Sequence, residues 1–467
     1  MPKRLLSDLL IPLTAAFALL ACSDDDPANA APVPGGSAGS TQAAGGSGGA
    51  TAGGSSQGGA GGNSSTSLCG GVAEPCVAFA AGSSEAQISE ALVSAAPNTT
   101  FVFDVGTFAF TNTLSIATAG VTVRGQGMDK TILDFKGQIA GAQGLSVQEV
   151  DDFTMQDIKV RDTKGDGVKI AGGKNITLRR LEVEFTAPEP SSRGAYGIYP
   201  VQCDNVLIEE CVAIGASDAG IYVGQSRTIL VRKNTAKGNV AGIEIENCYN
   251  ADVTENLSTE NVGGVLVFDL PGLPQLGGHD VRVFKNQIIG NNTKNFAPAG
   301  NIVGSVPAGT GVLVMANKNV EVFDNDIKNN NSAAFAVASY AVALKTVTDP
   351  KYYQWPQRVH VHDNRFENNG TSPDTSTAIG GILSDELLAA GPVPDLVFDG
   401  ADDPNATSEF PGNPLALCFR NNTTGTPPVP AKFVDLAFPK FGAEKSFDLA
   451  PYTCDLTPVT PVTLPAK

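Results

Sequence analysis

Apolar and polar positions along this chain repeat in a fixed order from Phe153 onward. The order is apolar, any residue, apolar, two polar, one distinctive residue, any residue, apolar. It recurs as Phe153-Met155-Ile158-Val160, Ile176-Leu178-Leu181-Val183, Val206-Ile208-Cys211-Ala213, Ile229-Val231-Asn234-Ala236, Ala251-Val253-Asn256-Ser258, Val281-Val283-Asn286-Ile288, Val320-Val322-Asn325-Ile327 and Val359-Val361-Asn364-Phe366. Successive starts lie 23, 30, 23, 22, 30, 39 and 39 residues apart. A period of this size with insertions at set places predicts a solenoid, in which each coil is stabilised by its neighbours.

A second signature falls in each coil: a glycine followed by apolar, any, apolar. It reads Gly167-Val168-Lys169-Ile170, Gly197-Ile198-Tyr199-Pro200, Gly220-Ile221-Tyr222-Val223, Gly242-Ile243-Glu244-Ile245, Gly264-Val265-Leu266-Val267 and Gly311-Val312-Leu313-Val314. Two-residue alternation predicts strands, and the glycine would allow a sharp bend before each. Two short strands per coil predict an all-β fold, a single-stranded right-handed parallel β-helix with coils about 4.8 Å apart. The distinctive position holds Asn234, Asn256, Asn286, Asn325 and Asn364, expected to form an interior hydrogen-bonded ladder. Ser83 to Ala96 reads as a capping helix, with Ser84 as N-cap and Ile88, Leu92 and Val93 as its apolar stripe.

Composition places the solenoid in a longer chain. Residues 1–22 read as a secretion signal, with Lys3 and Arg4 before an apolar run that is too short to span a membrane. Leu19-Leu20-Ala21-Cys22 resembles a bacterial lipobox, so Cys22 is expected to carry lipid and tie the chain to the cell envelope, with Ser23 favouring the outer membrane. Residues 23–67 are mostly Gly, Ser, Ala, Thr and Pro and read as a flexible tether. The β-helix is expected over 68–384 and an irregular Pro-rich cap or flank over 385–467. A formal charge of −17 argues against a nucleic-acid partner. The chain is expected to be a monomer. Cys69–Cys76 and Cys418–Cys454 are the expected disulfides of a secreted chain. Cys203 and Cys248 share a column but lie two rungs apart, too far to bridge.

Candidate chemistry sits beside the glycine strands. Insertions at 186–196, 291–310, 269–279 and 345–357 flank these strands and suggest a walled groove. The outward columns carry Lys169, Tyr199, Tyr222 and Glu244, then Glu246, then Gln202, Gln225 and Asp269, with Asp218 and Arg193 just upstream of their strands. Tyrosine rings can stack on sugar faces, and amides and carboxylates can bind hydroxyls. Glu244, Glu246 and Asp218 are the candidate acid–base residues; Tyr199, Tyr222, Gln202, Gln225, Asp269, Lys169 and Arg193 are the candidate substrate contacts. Glu244 and Glu246 point the same way, about 6.7 Å apart at Cα, a spacing compatible with acid–base work on a glycosidic bond. It is equally compatible with a Ca²⁺ site shared with Asp269. His360 and His362 alternate on one strand face; an ordinary exposed pair is expected there, and no metal.

Asp104-Val105-Gly106-Thr107-Phe108 followed by Val123-Arg124-Gly125-Gln126-Gly127 resembles the opening of pectate-lyase-like β-helix proteins. The stretches 194–203, 216–226, 239–247 and 267–274 resemble the bacterial parallel β-helix repeat lipoproteins. The resemblance covers about 73–384 and implies the fold, not an activity. Residues 196–202 stand where alginate C5-epimerases of this superfamily carry Tyr-Gly-Ile-Asp-Pro-His-Asp. Tyr199, Val201 and Gln202 replace that motif's charged residues, which speaks against epimerisation by that route. Two function classes follow: a lyase- or hydrolase-like enzyme on a polysaccharide, or a surface lipoprotein that only binds glycan or a partner.

Overall fold

The structure, a computed structural model, describes residues 68–343 and 346–465. The signal segment, the lipobox cysteine and the tether expected over 1–67 lie outside the described residues. The described chain is a parallel β-helix, but most coils have three strands rather than two; in the coils of Thr154–Arg161 and Lys174–Glu184 the first two run on as one. One coil is Ala219–Gly224, Arg227–Arg232 and Thr235–Lys237; the next is Ala241–Glu246, Tyr249–Thr254 and Leu257–Thr259. The first sequence signature spans two of these strands with a corner between them. The two polar residues in the pattern break the alternation, and that break is the corner. The residue before the distinctive position is left-handed in every such coil, with φ of 54–57° at Glu210, Lys233, Glu255, Lys285, Asp324 and Asp363.

Register runs unbroken from coil to coil. Val206 stands opposite Ile229, Ile229 opposite Ala251, then Val281, Val320 and Val359. The glycine strands form one 11-stranded sheet and the other two strands of each coil a 22-stranded one. Inward residues of both sheets fill one continuous core. The glycines serve space rather than bending. A Cβ on Gly242 would lie 2.2 Å from the Ser258 hydroxyl, and one on Gly264 would lie 2.5 Å from the Gly311 carbonyl. Neither glycine has a positive φ.

The asparagine ladder forms as expected and is longer. Each side-chain oxygen accepts from the preceding coil, at 2.9 Å from Asn234 to Asn256 and 3.0 Å from Asn256 to Asn286, and the series ends at Asn422. A second ladder, not anticipated, runs through Asn239, Asn261, Asn291, Asn330 and Asn369 at the next corner. Each of its members follows a member of the first ladder by five residues.

The capping helix spans Glu85–Val93, with a capping box between Ser84 and Gln87. Ile88 and Leu92 enter the core, whereas Val93 is exposed, one position too far round the helix to join the stripe. Both expected disulfides are present, with Cα atoms 6.0 Å apart for Cys69–Cys76 and 5.0 Å for Cys418–Cys454. Cys203, Cys211 and Cys248 are buried and free. Strand pairing continues past residue 384: Leu396–Phe398 adds to the glycine-strand sheet, and Cys418–Arg420 pairs with the strand holding His360. After Cys454 the chain runs back along the outside of the larger sheet, where Val459 N–H donates to Glu321 and Val462 N–H to Asp252. Among the described residues no helix is long and apolar enough to cross a membrane.

Candidate functional site

The expected columns exist. Tyr222 stands opposite Glu244, Gly224 opposite Glu246, and the register of Ile198 with Ile221 places Tyr199 beside Tyr222. The open groove does not. Tyr222 is 4% exposed, Glu244 1% and Glu246 7%. The insertions carry apolar residues that need burial, and this face supplies the surface. Val303, Val306, Tyr340 and Tyr352 close over Leu266, Phe268, Leu313 and Met315, forming a second core outside the sheet.

At one end of that second core lies a cluster of acids and tyrosines. Glu246 accepts the Tyr222 hydroxyl at 2.6 Å and the Gln225 amide at 3.3 Å. Asp218 accepts the Asn301 amide at 2.8 Å, reaching across 83 residues of sequence, and the Tyr196 hydroxyl. Neither oxygen of Glu244 has a hydrogen-bond partner, and both are buried. The rings of Tyr196, Tyr199 and Tyr222 pack with centroids 4.5–4.9 Å apart. Lys169 Nζ stands 4.7 Å from the Tyr199 ring centre. Tyr196, Tyr199 and Lys169 are half-buried, so they form the accessible edge of the cluster.

Burial governs the charge state. It pushes the Glu246 and Asp218 carboxyls up to about 7, and the Tyr222 and Asn301 hydrogen bonds only partly oppose it. Glu244 is pushed well above the carboxylate range, by burial first and then by the neighbouring Glu246 and Asp218. No cation stands among the described groups that shift these three acids. The cluster therefore holds carboxyl groups that exchange protons near neutral pH, where general acid–base chemistry operates.

Four sequence expectations need correction. Asp269 is fully buried and accepts the N–H groups of Gly277 and Gly278, so it pins the loop 269–279. Arg193 donates to Ala187 O at 2.8 Å and belongs to its own loop. Gln202 is exposed at a left-handed corner with φ of 55°, and no described contact joins it to the cluster. The Ca²⁺ reading finds no converging set, because the only three metal-ligating side chains drawn within ligand spacing among the described residues lie elsewhere. Tyr196 and Asn301 are the residues that sequence reasoning missed. Tyr196 directly precedes a signature glycine and was within reach of a column reading; Asn301 sits in an aperiodic insertion that carries no such signal.

A family model described as a right handed beta helix region matches residues 119–272, about six coils of the solenoid. No curated protein sequence matches the chain. Among solved structures, the A-module of a mannuronan C-5 epimerase from Azotobacter vinelandii aligns at 16% identity, over 70% of this chain and 86% of that one, with a TM-score of 0.42. DFA-IIIase from Arthrobacter chlorophenolicus aligns at 10% identity over 73% and 82%, with a TM-score of 0.43. An exopolygalacturonase from Thermotoga maritima aligns at 12% identity over 58% and 76%, with a TM-score of 0.36. At these identities the likeness is one of fold alone.

Proposed function

We propose that this chain is an extracytoplasmic carbohydrate-active β-helix protein that cleaves a polysaccharide by lyase- or hydrolase-like chemistry, with Glu244, Glu246 and Asp218 as its acid–base residues. The observation that supports this reading is the buried, cation-free group of three carboxyls, one of them without any hydrogen-bond partner. A scaffold position would not hold such a group. In the next coils the same columns carry Leu266 and Leu313, or Phe268 and Met315, which pack without desolvating a charge. Strongly shifted acids without a structural partner concentrate at functional sites.

In this reading Tyr199 and Tyr196 offer ring faces to a sugar at the accessible edge, and Lys169 faces its hydroxyls or acidic groups. Asn301 occupies the hydrogen-bonding place on Asp218 that a substrate hydroxyl would take, so the cover over 291–310 must yield for Asp218 to act. The closure of that cover favours a second reading, in which the edge only binds glycan. The test is reducing-end release and unsaturated-sugar absorbance across a panel of neutral and acidic polysaccharides. Depolymerisation of at least one supports the enzyme. Binding without cleavage leaves the second reading, and neither outcome on any member refutes both.

The same proposal places the protein on the bacterial envelope through lipidated Cys22, in the outer membrane, with the tether 23–67 carrying the β-helix outward. Cys22→Ser is expected to move the protein from the membrane fraction to the soluble one or to block its maturation. An unchanged membrane fraction for this variant removes the anchor.

A further inference from the structure

The outer face of the larger sheet carries a different set of side chains. Strands Lys318–Phe323 and Gln357–His362 are adjacent and parallel, with Glu321 opposite His360 and Phe323 opposite His362. Val320, Val322, Val359 and Val361 fill the core, so Glu321, His360 and His362 project from the same outer surface. Their ligand atoms all lie within 4.8 Å of one another. The pair expected to be exposed is instead partly covered: His360 is 8% exposed and His362 half-buried, and the returning C-terminal segment bonds to the adjacent Glu321.

His360 is the anomaly. Both of its ring nitrogens are buried and neither has a hydrogen-bond partner. Nearly all buried polar side-chain atoms find a partner in the protein, in water or in an ion. The neighbours of His360 are arranged as a support. Asp363 Oδ2 lies 2.8 Å from His362 Nδ1, which directs Nε2 toward Glu321. Glu321 Oε2 accepts Val459 N–H at 3.2 Å, leaving Oε1 facing His362 Nε2 at 3.1 Å. The Phe323 ring stacks on His362 with an interplanar angle of 4°.

We propose that Glu321, His360 and His362 bind a divalent transition-metal ion of the Zn²⁺ type, in a site that joins two adjacent coils to the C-terminal segment. Ligand atoms on a tetrahedral ion at 2.0–2.1 Å stand about 3.3 Å apart. The Glu321–His362 distance of 3.1 Å is already close to that bite, and the His360 ligand atom lies within 4.8 Å of both partners. Two imidazoles and one carboxylate suit Zn²⁺ or its first-row neighbours, whereas Ca²⁺ and Mg²⁺ prefer all-oxygen sets. The ion would satisfy one of the two orphaned nitrogens of His360. Three protein ligands leave at least one position for water. Glu321 also holds Val459, so occupancy would steady the segment from Pro458 to Val462.

The experiment uses the full chain, stripped with a chelator and dialysed against Zn²⁺ or Co²⁺. The expected result is one retained equivalent per chain, visible d–d absorption for Co²⁺, and a melting midpoint raised by about 3 °C when Zn²⁺ exceeds its Kd by 100-fold. Slower amide hydrogen exchange at Val459 and Val462 with Zn²⁺ is the second readout. His360→Ala and Glu321→Gln are expected to lower affinity at least 100-fold, and His279→Ala to leave it unchanged. Should His360→Ala fail to fold, the half-buried His362→Gln takes its place. Absence of a stoichiometric ion, or its retention in the Glu321 and His362 variants, overturns the proposal and leaves a Glu321–His362 hydrogen bond only.

Discussion

Glu246→Gln is expected to reduce turnover at least 100-fold on any polysaccharide the wild-type chain cleaves, while raising its melting midpoint at pH 8. The loss follows from the role: general acid–base catalysis contributes about 10²–10⁴-fold, and an amide cannot exchange the proton. The gain follows from the surroundings. Glutamine keeps an oxygen for the Tyr222 hydroxyl but removes a charge that Asp218, Glu244 and Asp269 oppose in a buried site. The folded Glu246 carboxyl is pushed up to about 7 from an ordinary value of 4.5. The folded chain therefore holds this proton more tightly than the unfolded chain. The associated stability is fully present below the unfolded value and is lost as pH rises from about 4.5 through about 7, with a slope of at most about 1.4 kcal/mol per pH unit. Glutamine removes that slope, so the variant should gain on wild type as pH rises through this window. Parallel wild-type and variant stability profiles from pH 4 to 8 would show that Glu246 does not titrate there. Full turnover in the variant would remove it from the chemistry.

Asn286→Leu is expected to destabilise the chain by about 3 kcal/mol, more than any exposed substitution on the same coil. The Asn286 side chain accepts from Asn256 N–H and Nδ2 at 3.0 Å each, and donates to Val253 O at 2.9 Å and Asn325 Oδ1 at 3.0 Å. Leucine leaves the donors on Asn256 without an acceptor inside a dry corner. Each stranded group costs about 1–3 kcal/mol, partly relieved by local relaxation. Denaturant midpoints at unchanged m-value measure the loss. A change under about 0.5 kcal/mol would mean that the ladder is not what holds the corners.

The parts of this protein that repeat were legible in the sequence, and the reason is the repeat itself. Stacking at one strand spacing forces equivalent residues of successive coils into one column. The alignment of Tyr199, Tyr222 and Glu244, the buried row from Asn234 to Asn364 and the free Cys203 and Cys248 follow from counting alone. The third strand was hidden because its corner differs from a strand by one broken alternation. The second ladder was equally periodic, five residues after the first, and needed only the same count.

What the period does not contain, only the tertiary structure decided. Asn301 reaches Asp218 from an insertion 83 residues away, and Val462 reaches Asp252 across 210. The cover over the tyrosines depends on where Val303, Val306, Tyr340 and Tyr352 find apolar surface, a choice made among whole loops and coils. The same holds for the histidines. The sequence shows His360 and His362 as an alternating pair on one strand; in the folded chain His360 is buried and His362 half-buried, the preceding coil supplies Glu321, and the returning tail bonds to that carboxylate. Local alternation specifies which side of a strand a residue takes. Whether that side meets water, a loop or the chain's own C-terminus is set by contacts between segments that share no period.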